Sequence, residues 1–290
     1  MSARRKSKAP IGIIGLGLMG SAIAARLRGA GFAVVGHDLD KSKHAALKRL
    51  GGRAADSAAA VADACDCLLL SLPTTSIVAS VIRQLGGRLR RGTLIIDTTT
   101  GDPDATAKLG AQLARRGIRY LDATVVGSSA QVREGSVLVL AGGRLADYSA
   151  AQSVLAAFSN QTFHTGPCGS GARMKLVVNL VLGLNRAVLA EGLAFAERVG
   201  VAPAHALEVL KAGAAYSRVM DIKGGKMLAR DFAPQARLAQ HLKDVKLILQ
   251  LGRRQNAKLP FSRVHRRLLV SLAGAGFADA DNSAIIEAFR

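Results

Sequence analysis

Two sets of residues in this 290-residue chain have types and spacings that could do chemistry. Lys175 and Asn179 sit inside a long apolar segment without proline, one helical turn apart and so on one face. A lysine in such a place either reaches past its neighbours to water or stays buried, where its ammonium is disfavoured. In the second case it can take and return a proton, with Asn179 holding the group that exchanges it. The second set is Gly15, Gly17 and Gly20. They follow the apolar run Pro10–Ile14 and precede the helix-forming stretch SAIAARLRG. In a strand–turn–helix the first glycine permits the turn. The second lets the backbone approach a pyrophosphate, and the third lets the helix pack on the strand. With Leu16, Leu18 and Met19 between them, these glycines form the expected phosphate cradle at a helix N-terminus. Asp38 ends the next strand, FAVVGHD. A carboxylate there accepts hydrogen bonds from ribose hydroxyls and repels a 2′-phosphate, which favours NAD over NADP. Lys41 and Lys43 offset this, since either can contact a 2′-phosphate.

The elements that must position these groups follow from the pattern. Strands are predicted over 10–14, 32–38, 65–72, 92–100, 119–126 and 136–143. Helices fall between most of them. Such alternation predicts an α/β fold with a doubly wound, mostly parallel sheet. Leu72-Pro73 and Thr98-Thr99-Thr100 then fall at carboxyl ends of strands, where open α/β sheets bind ligands. A helix over 147–158 and a short strand and turn over 160–166 complete this part. Beyond it the chain reads as helical to its end, with breaks at Pro203, near Gly213, at Gly224-Gly225, at Pro234 and near Pro260. The expected organisation is a basic disordered tail over 1–9, a Rossmann domain over 10–168, and an all-α domain over 169–290. The glycine-rich lead Gly166–Gly171 marks the border.

Composition bounds the partners. The formal charge is +20, but aromatics make up only 4% and the cations are scattered, which disfavours nucleic acid. The densest cluster runs from Arg253 to Arg267. The three cysteines have neither disulfide nor metal spacing, which fits a reducing, cytoplasmic setting. The basic start and the apolar run behind it imitate a signal peptide, but a strand and glycine turn explain the glycine positions. No apolar stretch reads as long and uncharged enough to cross a membrane. The six histidines show no ligand spacing, so no metal is expected, and His241 reads as a surface residue.

Four motifs in order give the chain a family resemblance. GLGLMGSAIAARL (15–27), DATVVGSSAQVREGSVLVLAGG (122–143), GSGARMKLVVNL (169–180) and Lys243-Asp244-Val245 resemble the cofactor loop, substrate loop, catalytic segment and Lys-Asp-Leu element of the β-hydroxyacid dehydrogenase family. That family includes 3-hydroxyisobutyrate dehydrogenase and the tartronate semialdehyde and glyoxylate/succinic semialdehyde reductases. The resemblance covers about Ile11 to Ile286. It implies a catalytic Lys175, a substrate-holding Asn179, and substrate contacts at Val126, Gly127 and Ser128. It also implies cofactor contacts at Gly15 to Gly20, Asp38, Leu72, Pro73, Thr99, Thr100 and Lys243. The family's imine-reducing relatives lack the lysine, so Lys175 implies alcohol and carbonyl chemistry. The chain departs from the pattern at Thr124 (proline in the family), Val126 (serine), Ser128 (glycine) and Leu180 (a second asparagine). Ser128, Ser129 or Arg186 are the candidates to grip a carboxylate, and for Arg186 a salt bridge to Glu191 or Glu197 is the competing expectation.

The resulting reading is an NAD-dependent oxidoreductase acting on a small anionic β-hydroxyacid or its semialdehyde, assembled as a homodimer or homotetramer. The alternatives are an NADPH-linked glyoxylate or succinic semialdehyde reductase and, from another class, a non-catalytic nucleotide- or nucleic-acid-binding protein.

Overall fold

The computed structural model describes residues 8–290. Most of the expected basic tail therefore lies outside the described residues. Its last two residues are not tail, because the first strand, β1 (Lys8–Ile14), begins at Lys8 and pairs with β2 (Phe32–His37) from there. Compactness divides the chain inside one helix: one unit runs through Lys175 and the second is Leu176–Arg290.

The first unit is an eight-stranded sheet. In chain order its elements are β1, α1 (Leu18–Gly29), β2, α2 (Ser42–Arg49), β3 (Arg53–Ala54), α3 (Ala58–Ala64), β4 (Cys67–Leu70), α4 (Thr75–Leu85), β5 (Leu94–Asp97) and α5 (Pro103–Arg115). Then come β6 (Arg119–Val126), α6 (Ser129–Glu134), β7 (Leu138–Gly142), α7 (Leu145–Leu155) and β8 (Gln161–Gly166). The strand order is β3-β2-β1-β4-β5-β6-β7-β8, and only the β6–β7 pair is antiparallel. The order reverses between β1 and β4, which makes their carboxyl ends the ligand-binding crevice of a doubly wound fold. Both faces are covered, so the central strands are apolar throughout. Ile11, Ile13, Leu69 and Ile96 face α1 and α7, while Ile14, Leu68, Leu70 and Ile95 face α3, α4 and α5.

The second unit is helical. It takes in most of α8 (Ser170–Arg198), followed by α9 (Pro203–Ala212), α10 (Gly225–Leu228), α11 (Leu238–Arg254) and α12 (Pro260–Leu272). Its core joins Leu189 and Leu193 to Leu207, Met227, Val245, Leu269 and Ile285. Three sequence expectations change here. Gly224-Gly225 is not a break: both residues keep helical angles where a π-helical turn runs into α10. A Cβ on Gly224 would come within 2.7 Å of Leu207, so close packing calls for that glycine. α8 is long and apolar enough, by length and composition, to cross a membrane. Its buried face carries Lys175, Asn179 and Arg186, which marks it as the core helix of a folded unit. His241 is buried, not on the surface, with its ring 5.1 Å from that of His265.

The two rings close over Gly183 of α8, and a Cβ there would run into both. Burial, reinforced by the Arg186 charge, lowers His265 to about 4, so it is neutral at physiological pH. Alanine is the better helix former by about 1 kcal/mol, yet Gly183→Ala is expected to destabilise the chain by about 1–3 kcal/mol through overpacking. Urea denaturation checks this, and a stabilised variant would show that the rings yield.

Candidate active site

The crevice end of the first unit is built for a dinucleotide. Gly15 has φ +95°, and a Cβ there would strike the Ser71 carbonyl. A Cβ on Gly20 would strike the Gly15 carbonyl, so α1 presses directly on the turn. Above Gly17 there is open space, and α1 begins at Gly17 with no side-chain cap and no acid in its first turn. The amides and positive end of the helix therefore face a place that an anion can occupy. Asp38 follows β2, and its Oδ2 accepts the Leu16 N–H at 2.6 Å, tying the glycine turn to the strand end. Its Oδ1 accepts from Asp40 N at 2.9 Å. Each carboxylate oxygen keeps a second lone pair for a ribose hydroxyl.

The neighbouring strand ends are linked in series. Tyr120 donates to Asp97 at 2.6 Å, Thr99 N donates to Asp97 at 2.9 Å, and Leu72 N donates to Thr99 Oγ1 at 3.2 Å. Leu72, Pro73, Thr99 and Thr100 thus stand together on the carboxyl side of β4 and β5. Asp97 is buried, and desolvation raises its pKa.

The substrate-loop segment between β6 and β7 contains the short helix α6. Ser128 is its N-cap in a capping box: its Oγ accepts from Gln131 N at 3.3 Å, and its own N–H donates to the Gln131 side chain at 2.9 Å. The Ser128 N–H is therefore engaged locally, while its hydroxyl, an acceptor in the cap, keeps its proton to donate. Gly127 reaches φ +145°, and a Cβ there would press on Val137.

Upstream on the same strand, Asp122 and Thr124 point to one face, as a period of two requires. The Asp122 carboxylate accepts from Gly169 N at 2.7 Å and Ala172 N at 2.8 Å, capping the start of α8. Thr124 Oγ1 donates to the Gly171 carbonyl at 3.2 Å. A Cβ on Gly171 would collide with the Asp122 carbonyl, so the glycine lead exists to let helix and strand meet. Burial pushes Asp122 up to about 7 against the pull of those two N–H bonds. These contacts hold the first turn of α8 in the first unit, and the compact units divide after Lys175.

Past that anchor α8 presents Lys175, 8% exposed, and one turn later Asn179, 5% exposed. Asn179 Nδ2 donates to Asp244 Oδ2 of α11 at 2.9 Å, which fixes the amide with its oxygen turned away from the carboxylate. The Lys243-Asp244-Val245 motif alone does not show this contact with Asn179, which joins α8 to α11. Lys243, half-buried beside it, is held below its ordinary pKa by desolvation, with the Asp244 charge opposing. Arg186 is buried and makes no salt bridge to Glu191 or Glu197. Burial lowers it to about 10, with the Asp281 charge opposing. At 1.5 Å rise per residue it lies about 16 Å along α8 from Lys175. Among the described residues no group of side chains could hold a metal.

Comparison with known proteins agrees with this geometry. The model for the NAD-binding domain of 6-phosphogluconate dehydrogenase matches residues 10–166. The model for the NAD-binding domain of NADP-dependent 3-hydroxyisobutyrate dehydrogenase matches residues 169–289. The chain is 32% identical to 2-(hydroxymethyl)glutarate dehydrogenase of Eubacterium barkeri, over 97% of this chain and 94% of that protein. It is 29% identical to glyoxylate/succinic semialdehyde reductase 1 of Arabidopsis thaliana, over 97% and 98%. The structure of Mycobacterium tuberculosis 3-hydroxyisobutyrate dehydrogenase with L-serine superimposes with a TM-score of 0.91 at 25% identity, covering 97% of this chain and 99% of that one. Two family models that together span the chain, and a named dehydrogenase matched over nearly the full length of both proteins, show the family: the chain belongs to the 3-hydroxyisobutyrate dehydrogenase family of NAD(P)-dependent hydroxyacid oxidoreductases.

Proposed function

We propose that the chain interconverts a small β-hydroxyacid and its semialdehyde with NAD as the partner cofactor, and that Lys175 handles the proton. The observation that carries this reading is Lys175 itself. It is a buried lysine on a helix whose first turn is locked to β6 by Asp122 and Thr124, one turn from an asparagine oriented by Asp244. A dinucleotide, held by the Gly15–Gly20 turn, Asp38 and the Leu72 and Thr99 strand ends, supplies or accepts the hydride. Lys175 Nζ takes the hydroxyl proton in oxidation and returns it in reduction. Asn179 holds the substrate oxygen in line with that lysine. Val126 offers no hydroxyl, so the Gly127 backbone at the end of β6 and the hydroxyls of Ser128 and Ser129 are the contacts for the substrate carboxylate; the Ser128 Oγ accepts in its cap and keeps its O–H to donate.

Asp38 supports NAD over NADP. Lys43, which could otherwise contact a 2′-phosphate, lies 3.5 Å from the Asp40 carboxylate. The expected result is a kcat/KM at least tenfold higher with NADH than with NADPH, the ratio falling in Asp38→Ser; one repelled charge contributes on the order of 1.4 kcal/mol, which is a tenfold factor. Equal use of the two cofactors would favour the NADPH-linked semialdehyde reductase instead.

The exposed side of α8 supports a homo-oligomer. Val177, Val181, Val188 and Phe195 stand open at helical spacing, an apolar stripe of the kind that subunit contacts cover. Light scattering is expected to give a dimer or tetramer, and Val188→Glu a smaller species. The cysteines, all free, support a cytoplasmic setting.

A further inference from the structure

At the far end of α11 from Asp244, α11 and α12 form a hairpin with a concavity of about 250 Å³ between them. Lys246, Leu249 and Arg253 line it from one face of α11. Arg263 and Arg266 line it from α12, and Leu259 closes it from the connection. Four cations thus surround one hollow with no carboxylate in its wall. Among the described residues none of the four makes an ion pair. Five acids of this unit are committed elsewhere: Asp221 to Lys211, Asp281 to Lys223, Asp231 to Lys226, Glu287 to Arg230 and Asp279 to Arg237.

The backbone adds to this charge. α12 starts at Pro260 with no side-chain cap, and its N-cap residue is Leu259 in the pocket wall, so the positive end of a 13-residue helix opens at the hollow. The opposing carbonyl end of α11 is covered, because Gln255, Asn256 and Ala257 donate to Leu251, Arg253 and Gly252. Like charges gathered around a low-dielectric wall repel one another and concentrate a counter-ion of opposite sign. Arginine's planar fork suits phosphate oxygens better than a point charge does. The volume is below the roughly 300–1,000 Å³ of a drug-sized pocket, so the occupant is compact.

We infer that the hollow between α11 and α12 is a binding site for a compact, multiply charged phosphate anion, separate from the dinucleotide site of the first unit. Inorganic triphosphate is the probe. Calorimetric titration at about 0.15 M salt, where exposed charges are screened beyond about 8 Å, is done with NAD at saturation so that the glycine turn is occupied. The expected result is one saturable site per chain, a raised Tm, and at least tenfold weaker binding in the double variant Arg253→Gln/Arg263→Gln. Both positions are solvent-exposed, so the variant's unliganded Tm and its NAD affinity should match the parent. Arg263→Glu/Arg266→Glu should abolish the binding. The glycine turn is untouched in both variants, so they report on this pocket whether or not NAD is the cofactor. Absence of saturable binding, or equal binding by parent and variants, would overturn the assignment. So would binding of duplex DNA that triphosphate cannot displace, since that would make the hollow part of an extended surface for a polymer.

Discussion

Replacing Lys175 by methionine is expected to lower kcat by about 10²–10⁴-fold, the usual contribution of a positioned general acid–base group, while NAD binds with an affinity within about twofold of the parent. Methionine fills nearly the same volume without a charge, so no cavity is opened in the helix packing. Lost turnover with an unchanged Tm therefore isolates the proton-transfer role. Asn179→Ala separates the partner's role. It leaves the Asp244 carboxylate without its amide partner, and under the proposed role, in which the asparagine holds substrate and the lysine carries the proton, it should raise KM as well as lower kcat. If the methionine variant kept near-parental kcat, Lys175 would be a structural lysine.

The largest stability effect belongs to Asp281 in the second unit. Its carboxylate is fully buried and holds Lys223 Nζ at 2.7 and 2.9 Å, while also accepting the N–H groups of Gln235, Ala236 and Ser283. One residue thereby satisfies a buried ammonium and pins the segment before α11 to the C-terminal turn. Asp281→Ala strands the charge on Lys223 and is expected to cost about 3–5 kcal/mol. The double variant Lys223→Met/Asp281→Ala should recover part of that, because the uncompensated charge is gone. The pair also sets an acid limit. Burial pushes Asp281 up, but the bonds from Lys223, Ala236 and Ser283 together outweigh it and hold the carboxyl at about 2. A carboxylate whose folded pKa lies below its unfolded value of about 3.9 stabilises the fold above that value and stops doing so as pH falls through the folded one. About 2–3 kcal/mol of stability is therefore expected to disappear as the pH falls from about 4 through about 2. Urea midpoints across that window check it, and a flat profile would contradict the ionised pair.

How much was legible in the sequence follows from the range of the interactions. The glycine turn, the strand–helix alternation and Asp38 are local patterns, and the structure repeats them with shifts of a few residues at element ends. The glycines of Gly166–Gly171 read as punctuation at a border, and the two family models meet there as well, at residues 166 and 169. Gly169 and Gly171 also admit Asp122 and Thr124 from a distant strand, and no local pattern announces that. Gly224 reads as a break for the same local reason, but its cause is Leu207 on another helix. Other misses had a signal. Ser128 with Gln131 is a capping-box spacing that marks α6. His241 and His265 share the helical period of the buried residues Leu238, Leu242 and Val245 on α11 and of Leu269 and Leu272 on α12. Lys175 and Asn179 could be picked out from their neighbours, but the hydrogen bond that orients Asn179 comes from α11 and needed the fold.

The most direct test of the central claim is the nicotinamide absorbance change when purified chain is mixed with NAD and each of a panel of small 3-hydroxyacids, and with NADH and the matching semialdehydes. The account predicts turnover with at least one hydroxyacid–semialdehyde pair in both directions, abolished in Lys175→Met. No turnover with any member of the panel, or turnover that the lysine variant retains, would contradict it.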